Sequence, residues 1–547
     1  MNIRGRRAST GAVRCLRLLL LLGLSWQFPD FASAADAKEA LWKQWDLAAS
    51  AFFAGPIQRF EVTLGRRELD NLRDNPRESQ PATVKVGTNV FEKVAVHVKG
   101  SAGSTRSIDD NPALTLNFDK FKPGQRCFGL SKLSLNNSVQ DSSYLDENLA
   151  SWLYLSTGVP TARASHALMT LNGRFLGLYV LKEGYDGEFI RRNFTGGTNA
   201  AGNLYDGGFV QDITANLERD AGKGVTNWSD LARLRTTLRL PAEQKRAELE
   251  KVLDVDRFLT YVAFQMFTAD WDGYIRNRNN YRLYLDPSGR GTFIPHGMDQ
   301  LFRRTEDQVR DGWSSFVPPR VFDLPEIRDR LRKRMNELAA TSFQVQPITN
   351  KIAGIRERIR QAMVGLPGSD WRYVDGEVRQ KRRMILERIA FVQEELRNWP
   401  EPMKPLAAGT AVKLGEWEQV QQSGRAKFDR QPRQESDPIS LHLAAVDGDV
   451  IASYRAPTGK LPSGLYRLTA RAATRNVQAY TGSLGAGVGI RVSGAQRPHK
   501  LEGTADWTPL TFDFELGGDE ETTVILELRA TKGDVWFDLG SVKLVRR

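Results

Sequence analysis

Cysteine is nearly missing: the 547 residues hold two, Cys15 and Cys127. That excludes a disulfide scaffold and any zinc cluster built on cysteine. Histidine is scarce as well, at five, too few to expect a multi-histidine metal centre. No Walker A loop, GxGxxG, HExxH or GxSxG occurs, which removes the common phosphate-loop, dinucleotide, zincin and α/β-hydrolase signatures. There is no HRD or DFG triplet either, so an ordinary protein kinase is excluded. What is present is ordinary globular composition, 41% hydrophobic and 26% charged. At this length it predicts about three domains with a large buried core.

The first 34 residues read as an export signal. Arg4, Arg6, Arg7, Arg14 and Arg17 precede an apolar run from Leu18 to Phe28, and Ala32-Ser33-Ala34 supplies a small-x-small cleavage pattern. The run is too short to span a bilayer, and cleavage after Ala34 leaves no transmembrane segment. Arg6-Arg7 alone is a poor twin-arginine motif, and no cysteine follows the run to anchor a lipoprotein. The segment contributes +4 of the +12 formal charge, leaving +8 for the mature chain. That charge is read either as a solvated basic surface or as attraction to phosphate-bearing or anionic ligands. Nucleic acid is not an expected partner. Secreted, periplasmic or cell-surface placement by bacterial-type export follows.

The remainder divides into a mixed α/β block (35–199), a mostly helical block (200–399), a proline-rich linker (400–409) and an all-β block (410–547). In the first block, Phe60 to Leu64, Lys93 to Gly100 and Ala113 to Phe118 alternate as strands. A helix is predicted over Ser143 to Gly158, and Asn172-Gly173 marks a hairpin. In the second, Val255, Phe258, Leu259, Val262 and Met266 share one helix face, as do Ile385, Ile389, Val392 and Leu396.

The chemistry concentrates between Asp270 and Asp299. Asp270 and Asp272 flank Trp271 just after a helix; Asn277, Asn279 and Asn280 lead into a strand, Tyr281 to Leu285. The turn Asp286-Pro287-Ser288-Gly289 returns the chain to His296-Gly297-Met298-Asp299, which brings Asp299 beside Asn280. A carboxylate and an amide oxygen converging this way suit a hard cation such as Mg²⁺, with Asp272 one loop upstream as a base. A base Asp, a metal-binding Asn and a metal-binding Asp are the parts protein kinases use for phosphoryl transfer. The blander alternative is that these Asp and Asn residues satisfy turn backbones, that His296 is a loop hydrogen-bonder, and that Trp271, Tyr274, Tyr281 and Tyr284 are core.

Several stretches between Pro56 and Phe302 resemble the CotH kinase family: HVKGSAGST, FGLSKLSLNNSVQDSSYLDENLA, TGVPTARASHALMTLNGRFLGLYVLKEGYD, ADWDGYIRNRNNYRLY and FIPHGMDQLF. The resemblance implies an α+β, two-lobed, atypical protein-kinase-like domain that uses ATP and Mg²⁺ (or Mn²⁺) to phosphorylate serines of secreted proteins. It implies Asp272 in the catalytic loop, Asp270 being the lesser candidate, with Asp299 and Asn280 on the metal. Lys99-Gly100-Ser101 stands where the family often shows Arg-Gly-Asn-Ser, so Lys99 and Ser101 are nucleotide-side candidates. Many members carry a Lys in the next strand, where this chain has Leu114 and Thr115; Lys132 or Lys182 are the candidate substitutes. Glu183 ends a strand where a lobe-to-lobe hinge would lie and backbone groups would meet adenine.

The last block more loosely resembles jelly-roll carbohydrate-binding modules, through LPSGLYRLTARAAT and GDVWFDLGSVKL. Trp507 and Trp536 are its candidate sugar platforms, unless they are core. Two function classes follow: a secreted Ser/Thr kinase, and a non-catalytic kinase-like surface or scaffold protein that binds glycan. The intact Asp272/Asn280/Asp299 set favours the first. A metal-dependent glycan-active enzyme is a distant third.

Overall fold

The computed structural model describes residues 34–547 except 102, 195–200, 400–402, 481–485, 497–499 and 517–518. The export signal therefore lies outside the described residues, save for Ala34, and so does the start of the linker.

The chain opens with helix α1 (Ala34–Ala54), which lays Phe52 and Phe53 into the core of a seven-stranded closed barrel. The barrel strands are β1 (Gln58–Thr63), β2 (Gln80–Val86), β3 (Asn89–Lys99), β4 (Ala113–Asn117), β5 (Lys132–Asn136), β6 (Ala164–Leu171) and β7 (Arg174–Glu183). Their order is β1-β2-β3-β4-β5-β7-β6, and a parallel β6–β1 pairing closes the ring. Period-two alternation decides which side chains go inside. Val94, Val96 and Val98 of β3 join Leu114, Leu133 and Leu181 in the interior, so His97 and Lys99 face outward. The Asn172-Gly173 turn is as expected, with φ of 47° and 80°, the left-handed pair that a tight hairpin needs. Two helices flank the barrel, α2 (Arg66–Asp74) and α3 (Asp146–Ser156). Helix α3 starts later than the Ser143 its sequence suggested. Tyr144 has φ 58°, and Asp141 accepts from the Ser143 and Asp146 amides at 3.0 and 2.9 Å. The Asp141 carboxylate thus satisfies the amides at the helix start.

After α4 (Gly187–Phe194), β8 (Asn203–Asp206) and β9 (Glu218–Gly222), the chain enters helices α5 (Ser229–Leu238), α6 (Ala242–Val252) and α7 (Val255–Phe267). Eleven of the thirteen residues of α7 are buried, all but Asp256 and Arg257 in its first turn, as expected of a helix at the centre of its own core. A one-turn helix α8 (Tyr274–Asn277) and the hairpin β10 (Tyr281–Leu285) and β11 (Gly291–Pro295) follow, completing a sheet in the order β11-β10-β8-β9. Helices α9 (Val317–Val321), α10 (Pro325–Ala340), α11 (Val345–Met363) and α12 (Trp371–Arg397) wrap α7 and this hairpin. The result is a mixed α/β body with a barrel at one end and helices at the other.

The C-terminal unit is all β: β12 (Ala411–Val412), β13 (Glu418–Arg430), β14 (Ser440–Leu461), β15 (Gly464–Gln478), β16 (Gly487–Val492), β17 (Gly503–Leu516), β18 (Glu520–Ala530), β19 (Lys532–Asp538) and β20 (Lys543–Arg546). It closes around its own core, which includes Leu443, Tyr454, Leu468 and Leu526. It meets the helical region through polar contacts: Arg328–Asp519 at 2.9 Å, Arg320–Glu515 at 3.2 Å, and Ser463 Oγ donating to the Phe322 carbonyl at 3.1 Å. Because the apolar cores on the two sides are separate, a chain ending at Pro405 is expected to stay folded, melting about 3 °C lower for loss of those pairs. A melt of the shortened chain checks this; an aggregated product would contradict it. Among the described residues no helix is long and apolar enough to cross a membrane.

Candidate active site

The outward face of the barrel roofs a cleft of about 450 Å³ whose floor is the β10–β11 hairpin. Cross-strand partners share one face of a sheet, and here they form polar rows. His97, Thr115, Ser134 and Lys182 are successive partners across β3, β4, β5 and β7. Lys99, Ala113 and Asn136 make the next row, where Lys99 Nζ donates to Asn136 Oδ1 at 2.7 Å. Of the residues singled out from the sequence, Lys99, Ser101, Lys132, Asp272, Asn280 and Asp299 line this one cleft.

Asp272 is held by amides. Its Oδ1 accepts from Asn277 Nδ2 at 2.8 Å and Asn279 Nδ2 at 3.2 Å; its Oδ2 accepts from Asn280 Nδ2 at 2.8 Å and Gln300 Nε2 at 3.4 Å. The Asn-rich sequence is therefore the cradle of one carboxylate. With its amide nitrogen committed to Asp272, Asn280 presents Oδ1 toward Gly297, where any Cβ would collide with it. The hairpin register brings Asp299 near: Tyr281 pairs with Pro295, and the His296 amide donates to the Asn280 carbonyl at 3.0 Å. Burial and the nearby Glu147 carboxylate push the Asp299 carboxyl up to about 7, against the pull of Lys182. Such a carboxylate gains from a cation. A hard, oxygen-liganded ion fits Asp299 and Asn280 Oδ1. Among the described residues no three His, Cys, Asp or Glu side chains gather as a metal cage, so water or phosphate oxygens would complete the shell, as Mg²⁺ usually has it.

Asp270 does not line the cleft. It is buried 3% exposed behind Asp272, bonded to Gln265 Nε2 at 3.1 Å, and burial with the Asp272 charge raises its carboxyl well above the usual range. It shapes the loop and does not face a substrate. Glu183 is likewise withdrawn. Arg163 and Arg192 grip it and, against the cost of burial, hold its carboxyl low; Arg163 also reaches Asp46 of α1 at 3.1 Å. Its side chain anchors α1 to the barrel.

Lys182 is buried in an ion pair with Glu147 of α3 at 2.6 Å, both side chains 2% exposed. It shares the cross-strand row of Thr115, the position that lacks the expected lysine. Sequence reading missed Glu147, although it lies in the quoted DENLA stretch, because a pairing across 35 residues leaves no local trace. It also missed Lys381 and Arg388, for which a signal existed: both fall on the stripe Val374, Val378, Ile385, Val392 of α12. Lys381 Nζ donates to Asp146 at 2.8 Å and to the Leu301 carbonyl at 3.0 Å. Arg388 donates to the carbonyls of Met266, Phe267, Thr305 and Asp307. Helix α12 thus ties the end of α7 to the segment after Asp299.

The cleft is otherwise cationic. Burial and the Lys182 charge push the Lys99 ammonium down to about 7. Arg282 pairs with Asp220 at 2.6 Å and Asp206 at 2.9 Å, and its Nη1 is buried without a protein partner. His296, half-buried, stays neutral: desolvation, with the Arg282 and Lys182 charges, holds its pKa well below the usual value. An anion entering here restores the Lys99 proton. Nucleotide–Mg²⁺ binding is therefore expected to take up close to one proton at pH 8, and to release protons near pH 6 as Asp299 ionises onto the metal. Calorimetry in buffers of different ionisation enthalpy checks both signs.

In the C-terminal unit, Trp536 is 3% exposed, stacked on His442 at 4.6 Å with Arg475 over it at 5.0 Å. It is core, not a sugar platform. Trp507 is half-buried between Arg433 and Arg471, at 5.3 and 5.5 Å, and donates to Asp437 at 3.3 Å.

A family model described as CotH kinase protein matches residues 96–392. The inner spore coat protein H of Bacillus subtilis (strain 168) is 24% identical over 253 residues, 42% of this chain and 68% of that protein. The invasin CotH3 of Rhizopus delemar is 25% identical over 187 residues, 31% of each; the chain thus spans about two thirds of one relative and under a third of the other. Among solved structures, a family 61 carbohydrate-binding module bound to β-1,4-galactotriose matches with 15% identity and a TM-score of 0.18, covering 25% of this chain and 92% of that one. A family 35 module from Paenibacillus barcinonensis matches with 12% identity and a TM-score of 0.17, covering 26% and 100%.

Proposed function

Because this chain belongs to the CotH kinase protein family, we propose that it transfers the γ-phosphate of ATP to Ser or Thr hydroxyls of exported or surface proteins, with Mg²⁺ or Mn²⁺. The observation that carries the reading is the convergence of Asp272, Asn280 and Asp299 with Lys99 and Lys132 in one cleft, whose volume suits a nucleotide.

Each residue then has a task. Asp272, fixed by four amide donors, orients the acceptor hydroxyl and takes its proton as the oxygen attacks the γ-phosphorus. Lys99 and Lys132 neutralise phosphate oxygens without reorganising in the transition state. Lys182, held by Glu147, supplies the fixed positive charge of the cross-strand row in which Thr115 itself carries none. Asp299 and Asn280 hold the cation, which when bound neutralises the phosphates and aligns them. ADP leaves with the displaced oxygen.

Export and a surface location accord with the leader-like first 34 residues and with relatives named for a spore coat and for invasion. A second reading, glycan binding by the C-terminal unit, has Trp507 as its half-exposed ring. Thermal shift with ATP and Mg²⁺ tests the first reading. Stabilisation that requires both, and that Asp299→Ala loses, is the expected result; no shift with ATP and Mg²⁺ together would remove the nucleotide site.

A further inference from the structure

The residues around Asp272 sort by depth. In the same loop, Arg276 pairs with Asp307 at 3.3 Å, and deeper Arg282 pairs with two carboxylates. Three others are exposed: Arg278, Arg303 and Arg304. Arg278 lies between Asn277 and Asn279, both bonded to Asp272, and its φ of 54° sets it in the left-handed region. Arg303 donates to the Gln140 carbonyl and, at 3.3 Å, to Gln300 Oε1; Gln300 in turn reaches Asp272. Arg304 lies over the ring of Trp271, the neighbour of Asp272, at 5.7 Å. None of these contacts is to a carboxylate. Each guanidinium is thus one residue removed from the proposed base and free to meet an anion from outside.

An apolar platform completes this mouth. Phe209 lines the cleft yet is 61% exposed. Its loop is tied to the same cradle, the Val210 amide donating to Asn279 Oδ1 at 3.4 Å. Val210 holds φ 52°, a strained setting for a β-branched residue and one that marks functional loops.

We propose that this mouth receives the acceptor, and that the acceptor is an acidic polypeptide segment, with Asp or Glu flanking its Ser or Thr. This rests on the acceptor role given to the cleft. Three outward guanidiniums suit carboxylates, and the exposed phenyl ring of Phe209, on a loop tied to the same Asp272 cradle through Asn279, suits a chain with side-chain stems more than a free anion. Nucleotide phosphates take the inner cations; the outer three are left for the protein substrate.

The test needs no catalysis. Short fluorescent peptides with a central Ser flanked by Asp/Glu, by Ala or by Lys/Arg are titrated with the mature chain at low salt and read by anisotropy. The acidic peptide is expected to bind about tenfold more tightly than the other two, and added salt to erase the difference. The combined R278E, R303E and R304E variant is expected to lose that preference. Equal binding of the three peptides, preference for the basic one, or acidic binding untouched in the variant would overturn the proposal. The peptide series on the parent chain decides the matter even if the variant does not fold. Phosphate transfer from ATP to the bound acidic peptide is assayed separately. An acidic peptide that binds yet takes no phosphate supports the docking surface and counts against the kinase reading.

Discussion

Lys182→Met is expected to lower stability by about 3–5 kcal/mol and to abolish phosphate transfer. The stability loss follows from what is left behind. Glu147 is 2% exposed, and without the ammonium at 2.6 Å it is a buried, uncompensated carboxylate. Pairing the change with Glu147→Leu removes both charges and is expected to recover most of the stability, since a buried ion pair is close to break-even against apolar packing. Activity is not expected to return, because the buried charge behind the cleft in the Thr115 row is still missing. Melting curves and transfer assays on the single and double variants separate the two effects. Recovery of activity in the double variant would reduce Lys182 to a structural residue.

Asp299→Asn is expected to move stability and function in opposite directions. The Asp299 carboxyl is raised from the ordinary 3.8 to about 7 by burial and Glu147. A carboxylate raised this way opposes folding when ionised: the penalty is absent below about pH 4, grows as pH rises to 7, and is full above it. Asparagine removes it. The variant is therefore expected to melt higher than the parent at pH 8, by about 2–4 kcal/mol of stability, and to match it near pH 4. The same change removes the carboxylate proposed to hold the cation, so transfer is expected to fall by about three orders of magnitude. Asp272→Asn is expected to lose about 10²–10⁴ in rate by removing the base, with the cradle of Asn277, Asn279 and Asn280 rearranged but the Asp299 carboxylate intact.

How much of this was legible in the sequence depends on range. The β10–β11 hairpin was readable because its turn, Asp286 to Gly289, is local and its strands alternate; once its register is known, Asp299 must lie near Asn280. The Asn172-Gly173 hairpin was readable for the same reason. Glu147 was not, because packing of α3 against β6, the strand paired with β7, and not spacing, brings it to Lys182. The place of the Glu183 side chain was not legible, because its strand position says nothing of the two arginines that reach it from other elements. Trp536 lies on a strand whose register puts it against His442, and which face of that strand is buried is settled only by the closed unit. Lys381 and Arg388 show the opposite case: their heptad places on α12 announce burial, and what they hold, carbonyls on either side of the Asp272–Asp299 stretch, is a tertiary fact.

The central claim is phosphate transfer by Asp272 and Asp299. The most direct measurement incubates the mature chain with γ-labelled ATP and Mg²⁺ or Mn²⁺ and an acidic acceptor, beside Asp272→Ala and Asp299→Ala. The account predicts label in the acceptor or in the chain itself with the parent protein, and none with either variant. Absence of label together with absence of nucleotide binding, or label that persists in both variants, would contradict it.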